Sequence, residues 1–167
     1  MREAIERIYW ERRQGLFTLA LAITRCPGRA EDAVQEAFAR LWKSQARPGG
    51  DLVPYVFAAV RNAAIDQVRR QDAVAGTQPA SIFNGLPADP PSETITAEEH
   101  RMVREAVESL PDEQREAVVM RIYGNLTFDE MAKALGEPLQ TVASRYRRAI
   151  EKLSEKMKRV AGPNHDQ

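Results

Sequence analysis

The chain has 167 residues and balances 24 Lys and Arg against 24 Asp and Glu. That length suits one domain or two small ones, and the neutral total argues against strong non-specific attraction to nucleic acid while leaving local basic patches free to bind it. Cys26, the single cysteine, excludes an internal disulfide and fits a reducing cytoplasm; His100 and His165 offer no zinc-ligand spacing, the charged N-terminal MREAIERIYWERR speaks against a signal peptide, and no apolar run approaches the roughly 20 residues of a membrane span.

Helical periodicity opens the chain. Leu16, Leu19, Ala20 and Ile23 recur at steps of three and four, and Arg25-Cys26-Pro27-Gly28 breaks the pattern. A second helix is expected from about Ala30 to Ser44, with Val34, Phe38, Leu41 and Trp42 on or near one side. Arg47-Pro48-Gly49-Gly50 interrupts again, and a third helix is expected from about Val53 to Arg70 through Val56, Val60, Ala64 and Val68.

From Gln71 to Thr96 the composition changes. This stretch holds Pro79, Pro87, Pro90 and Pro91 with Gly76 and Gly85, and it carries no Lys or Arg. Such a composition buries too little apolar surface to order itself, although Ile82, Phe83 and Leu86 are apolar enough to dock on a domain or a partner. Residues 72–95 therefore read as a flexible linker between two small helical domains, 1–71 and 96–160, in an all-α fold. Thr96 and Glu99 form a possible capping box for the next helix, expected to run to about Ser109. Pro111, Asp112 and Glu113 then open a helix ending near Gly124-Asn125, with acids in the first turn where the helix dipole favours them.

The stretch from Thr127 to Leu153, TFDEMAKALGEPLQTVASRYRRAIEKL, reads as helix, tight turn and helix. Thr127 and Glu130 have capping-box spacing, and Leu126 and Met131 stand where a hydrophobic staple forms. Gly136 suits the left-handed end of the first helix and Pro138 the start of the second. In the second helix Val142, Tyr146, Ala149, Leu153 and Met157 line a buried stripe. Gln140, Thr141, Ser144, Arg145 and Arg148 fall elsewhere, and they are residue types that reach base edges and phosphates. Between Leu139 and Ala161 seven basic residues face two acidic ones. This pattern fits a helix-turn-helix with its second helix in the DNA major groove; it equally fits a solvated charged face on an ordinary bundle helix.

Two tracts decide between these. AEDAVQEAFARLW (Ala30 to Trp42) with PYVFAAVRNAAIDQVRRQ (Pro54 to Gln71), followed across the polar segment by SLPDEQREAVVMRIYGNLTFDEMAKALGEPLQTVASRYRRAIEKL, resemble in this order a bacterial RNA polymerase sigma factor of the extracytoplasmic-function group. The resemblance covers nearly the whole chain outside the linker and the tail. It implies a region-2 domain followed by a region-4 helix-turn-helix, and a cytoplasmic protein that binds core RNA polymerase, recognises and opens promoter DNA, and has an anti-sigma factor as a further partner. It implies no catalytic residue, cofactor, metal or small-molecule substrate.

By the same resemblance, Asp32, Gln35, Glu36, Phe38, Leu41 and Trp42 form the polymerase-docking surface, with Asp32 and Glu36 expected to be exposed. Arg61, Asn62, Arg69 and Arg70 read and open the minus-ten element, Asn62 offering donor and acceptor to an unstacked base and the arginines following phosphates. Asp66 does not favour a phosphate and is expected to orient an arginine or cap a loop. Of Tyr55 and Phe57, one is expected to be core and the other free to stack. Gln140, Thr141, Ser144, Arg145, Arg147 and Arg148 read the minus-thirty-five element. One departure stands out: family members often carry Lys or Arg where this chain has Ala143, which puts the promoter sequence in question and makes Arg147 the compensating charge.

Three other readings compete. A sigma mimic that sequesters an anti-sigma factor needs no basic DNA-facing helices, which Arg69, Arg70, Arg145 and Arg148 argue against. A polymerase-independent helix-turn-helix repressor needs no tract like Asp32 to Trp42. An enzyme with a metal held by Glu31, Asp32 and Glu36 lacks any Glu-x-x-His pattern.

Overall fold

The computed structural model describes residues 1–45, 48–72 and 97–161, and the described residues form seven α-helices and no strand. Residues 72–95, read as a linker, lie outside this description except for Asp72, as do Ile82, Phe83, Leu86 and the Thr96 half of the first capping box.

Helix α1 (Arg2–Thr24) ends where Arg25 turns into the left-handed region, φ 52°, and returns its N–H to the Leu21 carbonyl. Cys26 is extended, and Pro27 opens α2 (Pro27–Lys43). This helix begins three residues earlier than Ala30, the expected start. Proline has no N–H to lose in a first turn and its φ is already helical, so the apparent breaker is a helix start. The Asp51 carboxylate accepts the Val53 N–H at 3.0 Å near the start of α3 (Leu52–Asp72). Pro54 again sits in a first turn, where a missing N–H leaves no helical bond unmade.

The second half comprises α4 (Ala97–Glu108), α5 (Asp112–Ile122), α6 (Phe128–Leu135) and α7 (Leu139–Ala161). Arg115, buried on α5, fixes the corner between α4 and α5. Its Nη1 donates to Asp112 Oδ1 at 2.8 Å, and its Nη2 donates to the carbonyls of Glu108 (2.9 Å) and Leu110 (2.7 Å). Burial pushes this guanidinium below its ordinary pKa and the neighbouring Arg25 pushes the same way, while Asp112 and Glu108 oppose them.

Helices α1, α2 and α3 pack on one another as a bundle, and α7 packs against α4, α5 and α6. The two bundles are in contact through α1 with α5 and α3 with α6, and they share a core. Leu16, Leu19, Phe57 and Val60 from the first half and Met120, Leu126 and Met131 from the second belong to one buried apolar cluster.

What allows this is a close backbone approach. A Cβ on Gly15 would lie 2.6 Å from Gly124 Cα and 2.7 Å from the Tyr123 carbonyl oxygen, and a Cβ on Gly124 would meet Phe57 Cε1 at 3.0 Å. Beside this contact the Arg12 Nη1 donates to the carbonyls of Gly124 (2.9 Å) and Asn125 (3.2 Å). Arg61 Nε bonds Glu116 Oε2 at 2.7 Å, tying α3 to α5.

Because backbone, not a yielding side-chain tip, opposes Gly15, Gly15→Ala is expected to destabilise the protein by about 1–3 kcal/mol through overpacking. Gly28, in the first turn of α2, meets nothing within 4 Å, and Gly28→Ala is expected to gain about 0.4–1 kcal/mol by reducing unfolded-chain entropy. Urea unfolding of both variants beside the parent checks the pair; equal effects would mean that the glycine contact does not constrain the fold.

Candidate nucleic-acid interface

The α6–α7 unit is built from local chemistry. The Thr127 Oγ1 accepts the Glu130 N–H (3.2 Å) while the Glu130 carboxylate accepts the Thr127 N–H (2.7 Å), so the capping box closes in both directions. Leu126 and Met131 are fully buried, as a staple requires. Gly136 ends α6 at φ 64°, and Glu137 N–H reaches back to the Ala132 carbonyl at 3.1 Å. Val142 and Ala149 on α7 are fully buried. Tyr146 meets Phe128 edge-on, with centroids 5.4 Å apart, and Arg121 lies over the other aromatic partner, 5.0 Å from the Phe128 centroid.

With that stripe turned inward, Gln140, Ser144, Arg147 and Arg148 share the opposite side of α7 at helical spacing, and Thr141 and Ala143 flank them. Gln140, Thr141, Ser144 and Arg148 line an open concavity of about 630 Å³ that the start of α5, Pro111 to Gln114, closes on the other side. Arg148 is exposed and has no hydrogen-bond or ion-pair partner among the described residues. Arg147 is exposed and leans toward the Ser144 hydroxyl at 3.5 Å.

Arg145 departs from the expectation of a free reader. Its side chain is only 19 % exposed and stands 3.4 Å from both the Glu113 and the Glu137 carboxylates. At the foot of the recognition helix it holds α5, the turn and α7 in register, and its charge is already met.

Expected polymerase-docking residues divide in the same way. Asp32 and Gln35 are exposed on α2, and Trp42 is 40 % exposed at its end. Leu41 is buried and belongs to the core, and Phe38 is half-buried, its ring edge-on to Tyr9 at 5.0 Å. Glu36, expected to be exposed, is instead 25 % exposed and bonded to Arg40, to Arg70 Nη2 (3.1 Å) and to Gln67 Nε2 (3.4 Å). Burial alone would raise its pKa; the hydrogen bond from Arg70 and the charges of Arg40 and Arg70 overcome this and hold the carboxyl below the ordinary range. Asp66 stands 3.7 Å from Arg40, orienting an arginine as its charge suggested.

On α3, Asn62 and Arg69 are exposed. Arg70 is exposed but engaged by Glu36, and Arg61 is half-buried against Glu116. Neither of these two arginines is free in this arrangement. Phe57 is fully buried, which leaves the half-buried Tyr55 as the candidate for stacking. Trp10 on α1, 65 % exposed and edge-on to Tyr9, has no motif around it and is invisible to sequence reading. The same is true of Arg12, Gly15, Glu116 and Gly124, whose roles exist only once distant segments meet.

The family model for sigma-70 region 2 matches residues 9–74, and the model for sigma-70 region 4 matches residues 100–153. The chain belongs to the extracytoplasmic-function group of sigma-70 factors. As a sigma factor it directs transcription initiation. It is similar to the ECF RNA polymerase sigma factor SigK of Mycolicibacterium vanbaalenii, 28% identical over 159 residues that cover 90% of this chain and 80% of that protein. SigK of Mycobacterium tuberculosis is 27% identical over 158 residues, covering 90% and 83%. Among solved structures, the sigma factor RpoE from Bartonella quintana, crystallised with the anti-sigma factor NepR, superposes with a TM-score of 0.72 at 22% identity, covering 93% of this chain and 98% of that one. CnrH, in complex with the cytosolic domain of CnrY, superposes with a TM-score of 0.64 at 21% identity, covering 95% and 90%. The region 2 match thus falls on α1–α3, and the region 4 match on α4–α7.

The bonding of Glu36 gives a direct expectation. Glu36→Lys sets a third positive charge beside Arg40 and Arg70 and is expected to lower stability by on the order of 1 kcal/mol, whereas Asp32→Lys, on a solvated face, stays within about 0.5 kcal/mol of the parent. Denaturant midpoints of the two variants test this, and equal midpoints would remove the α2–α3 clasp.

Proposed function

We infer that this sigma factor reads its promoter with two separate side-chain sets and docks on core polymerase with a third. Upstream recognition is assigned to α7, with Arg148 as principal base or phosphate contact, Gln140, Thr141, Ser144 and Arg147 beside it, and Arg145 positioning the helix. Minus-ten recognition is assigned to Asn62 and Arg69 on α3, joined by Arg61 and Arg70 when Glu116 and Glu36 release them. Polymerase docking is assigned to Asp32, Gln35 and Trp42 on α2. Phosphodiester chemistry belongs to the polymerase, and the protein acts where the polymerase works, in the cytoplasm.

The observation that carries this reading is the outward face of α7: polar and basic side chains along an open groove, with Arg148 unpaired among the described residues and Val142 and Ala149 buried on the opposite side. That face is what a recognition helix presents to base edges and phosphates. Ala143, half-buried beside it, leaves the groove one positive charge short of many relatives and gives a small apolar surface suited to a thymine methyl. An anti-sigma factor is a natural further partner, since the similar RpoE was solved with the anti-sigma factor NepR.

Reconstitution with core RNA polymerase, followed by run-off transcription from the upstream region of its own gene, tests the function. A defined transcript that depends on the sigma factor is expected. Promoter binding without polymerase and without a transcript would instead support a repressor, and absence of both would support the sigma mimic.

Three variants test the finer assignments. Arg148→Ala is expected to cost on the order of 1–3 kcal/mol at one base position if it reads a base, or to weaken all sequences alike and lower the salt slope by about one if it contacts a phosphate. Arg145→Ala is expected to reduce region 4 stability as well as binding, which thermal unfolding separates from a pure contact loss. Asn62→Ala is expected to lower open-complex formation, read by permanganate footprinting, more than polymerase affinity; wild-type opening would move the base reader elsewhere.

A further inference from the structure

At the edge of the proposed minus-ten face, one cleft gathers uncompensated positive charge. It has a volume of about 450 Å³ and lies where α1, α3 and α5 meet, between region 2 and region 4. Its apolar wall comes from Ala22, Ile23, Ile65 and Val68, and its charged side from Arg25, Arg69 and Arg115 with Asp112 and Glu116.

The charges do not cancel. Glu116 is taken by Arg61 and Asp112 by Arg115, so the two carboxylates are already matched. The side chains of Arg25 and Arg69 then have no hydrogen-bond or ion-pair partner among the described residues, and the buried Nε of Arg115 has none either. Arg25 also sits at a position that resists arginine. Its φ of 52° is the left-handed conformation that helix ends normally give to Gly or Asn, and other residues occupy it at a cost of roughly 1–2 kcal/mol. A guanidinium is thus held at the cleft in a conformation its backbone disfavours, facing like charge: Arg25 acts on Arg115 to make its protonation harder.

We propose that this cleft is a binding site for a phosphate-bearing small molecule, whose oxygens Arg25 and Arg69 take in fork geometry. Planar guanidiniums match phosphate oxygens bidentately, and the α5 N-terminus beginning at Asp112 adds the favourable end of a helix dipole. The Ile23, Ile65 and Val68 wall suits an organic body better than a bare ion, and the volume lies in the range of small-molecule sites. Nucleoside di- and triphosphates have both parts. Because the three helices come from both regions, an occupant bridges region 2 to region 4 and engages Arg69, one of the proposed minus-ten contacts. The site itself does not depend on the promoter assignments.

Isothermal titration of the full chain with ATP and with sodium pyrophosphate, both without divalent metal, tests this without polymerase or promoter. One saturable site is expected for each. Arg25→Gly, which fits φ 52° without strain, is expected to weaken binding about tenfold or more with unchanged circular dichroism, and Arg69→Gln to do likewise. Lys158→Gln, an exposed change at the far end of α7, is expected to leave affinity unchanged. Tighter binding of ATP than of pyrophosphate supports a nucleotide through the apolar wall, and equal binding supports the oxyanion contacts alone. Absence of saturable binding, equal weakening in all three variants, or indifference to both arginine variants would overturn the site. Displacement of ATP by a single-stranded oligonucleotide whose own binding needs Arg25 would reassign the cleft to DNA phosphates and overturn the small-molecule class.

Discussion

The arrangement of this sigma factor depends on two backbones being allowed to touch. The middle of α1 lies against the turn after α5 because neither Gly15 nor Gly124 carries a side chain. That contact brings Phe57 under Gly124 and lets apolar residues of both regions join one core. The turn has polar needs of its own. Asn125 is in the left-handed region at φ 53°, and the carbonyls of Gly124 and Asn125 need donors. Arg12 supplies their donors from the opposite bundle, so the approach is satisfied in shape and in hydrogen bonding together.

Electrostatics follow from the same geometry. Once α3 lies near α5, Glu116 stands beside Arg61, one of the arginines proposed to follow the DNA backbone. The pair is half-buried, so salt screens it less than a fully exposed one. Glu36 stands in a similar relation to Arg70, but within region 2 and across two neighbouring helices. Two of the three proposed minus-ten arginines, Arg61 and Arg70, are therefore already engaged by internal carboxylates, whereas the Arg69 side chain has no such partner among the described residues.

Where the sequence was legible, the determinants were local. The capping box, the staple, the glycine end of α6 and the inward stripe of α7 are set by residues within a few positions of one another, and each lies where its spacing placed it. Pro27 misled because proline stops one helix and starts another with equal ease, and only the chain beyond Cys26 settles which. Glu36 and Arg145 were misjudged for a common reason. Periodicity gives the side of a helix on which a residue lies, but not the charge waiting on the neighbouring helix. The contact between regions was illegible altogether, because a glycine records the approach of a backbone only when that backbone is known.

Arg12 and Gly124 are separated by 112 positions in the chain yet share a hydrogen bond. Helices and helical hairpins close short loops and form quickly, while contacts at long sequence separation wait for the loop entropy to be overcome. The glycine junction therefore belongs to the late part of folding: each bundle can assemble from neighbouring segments, and their docking completes the molecule. A chain emerging from the ribosome meets the first partner of that junction long before the second exists, so α1 spends part of its early life with Gly15 uncovered.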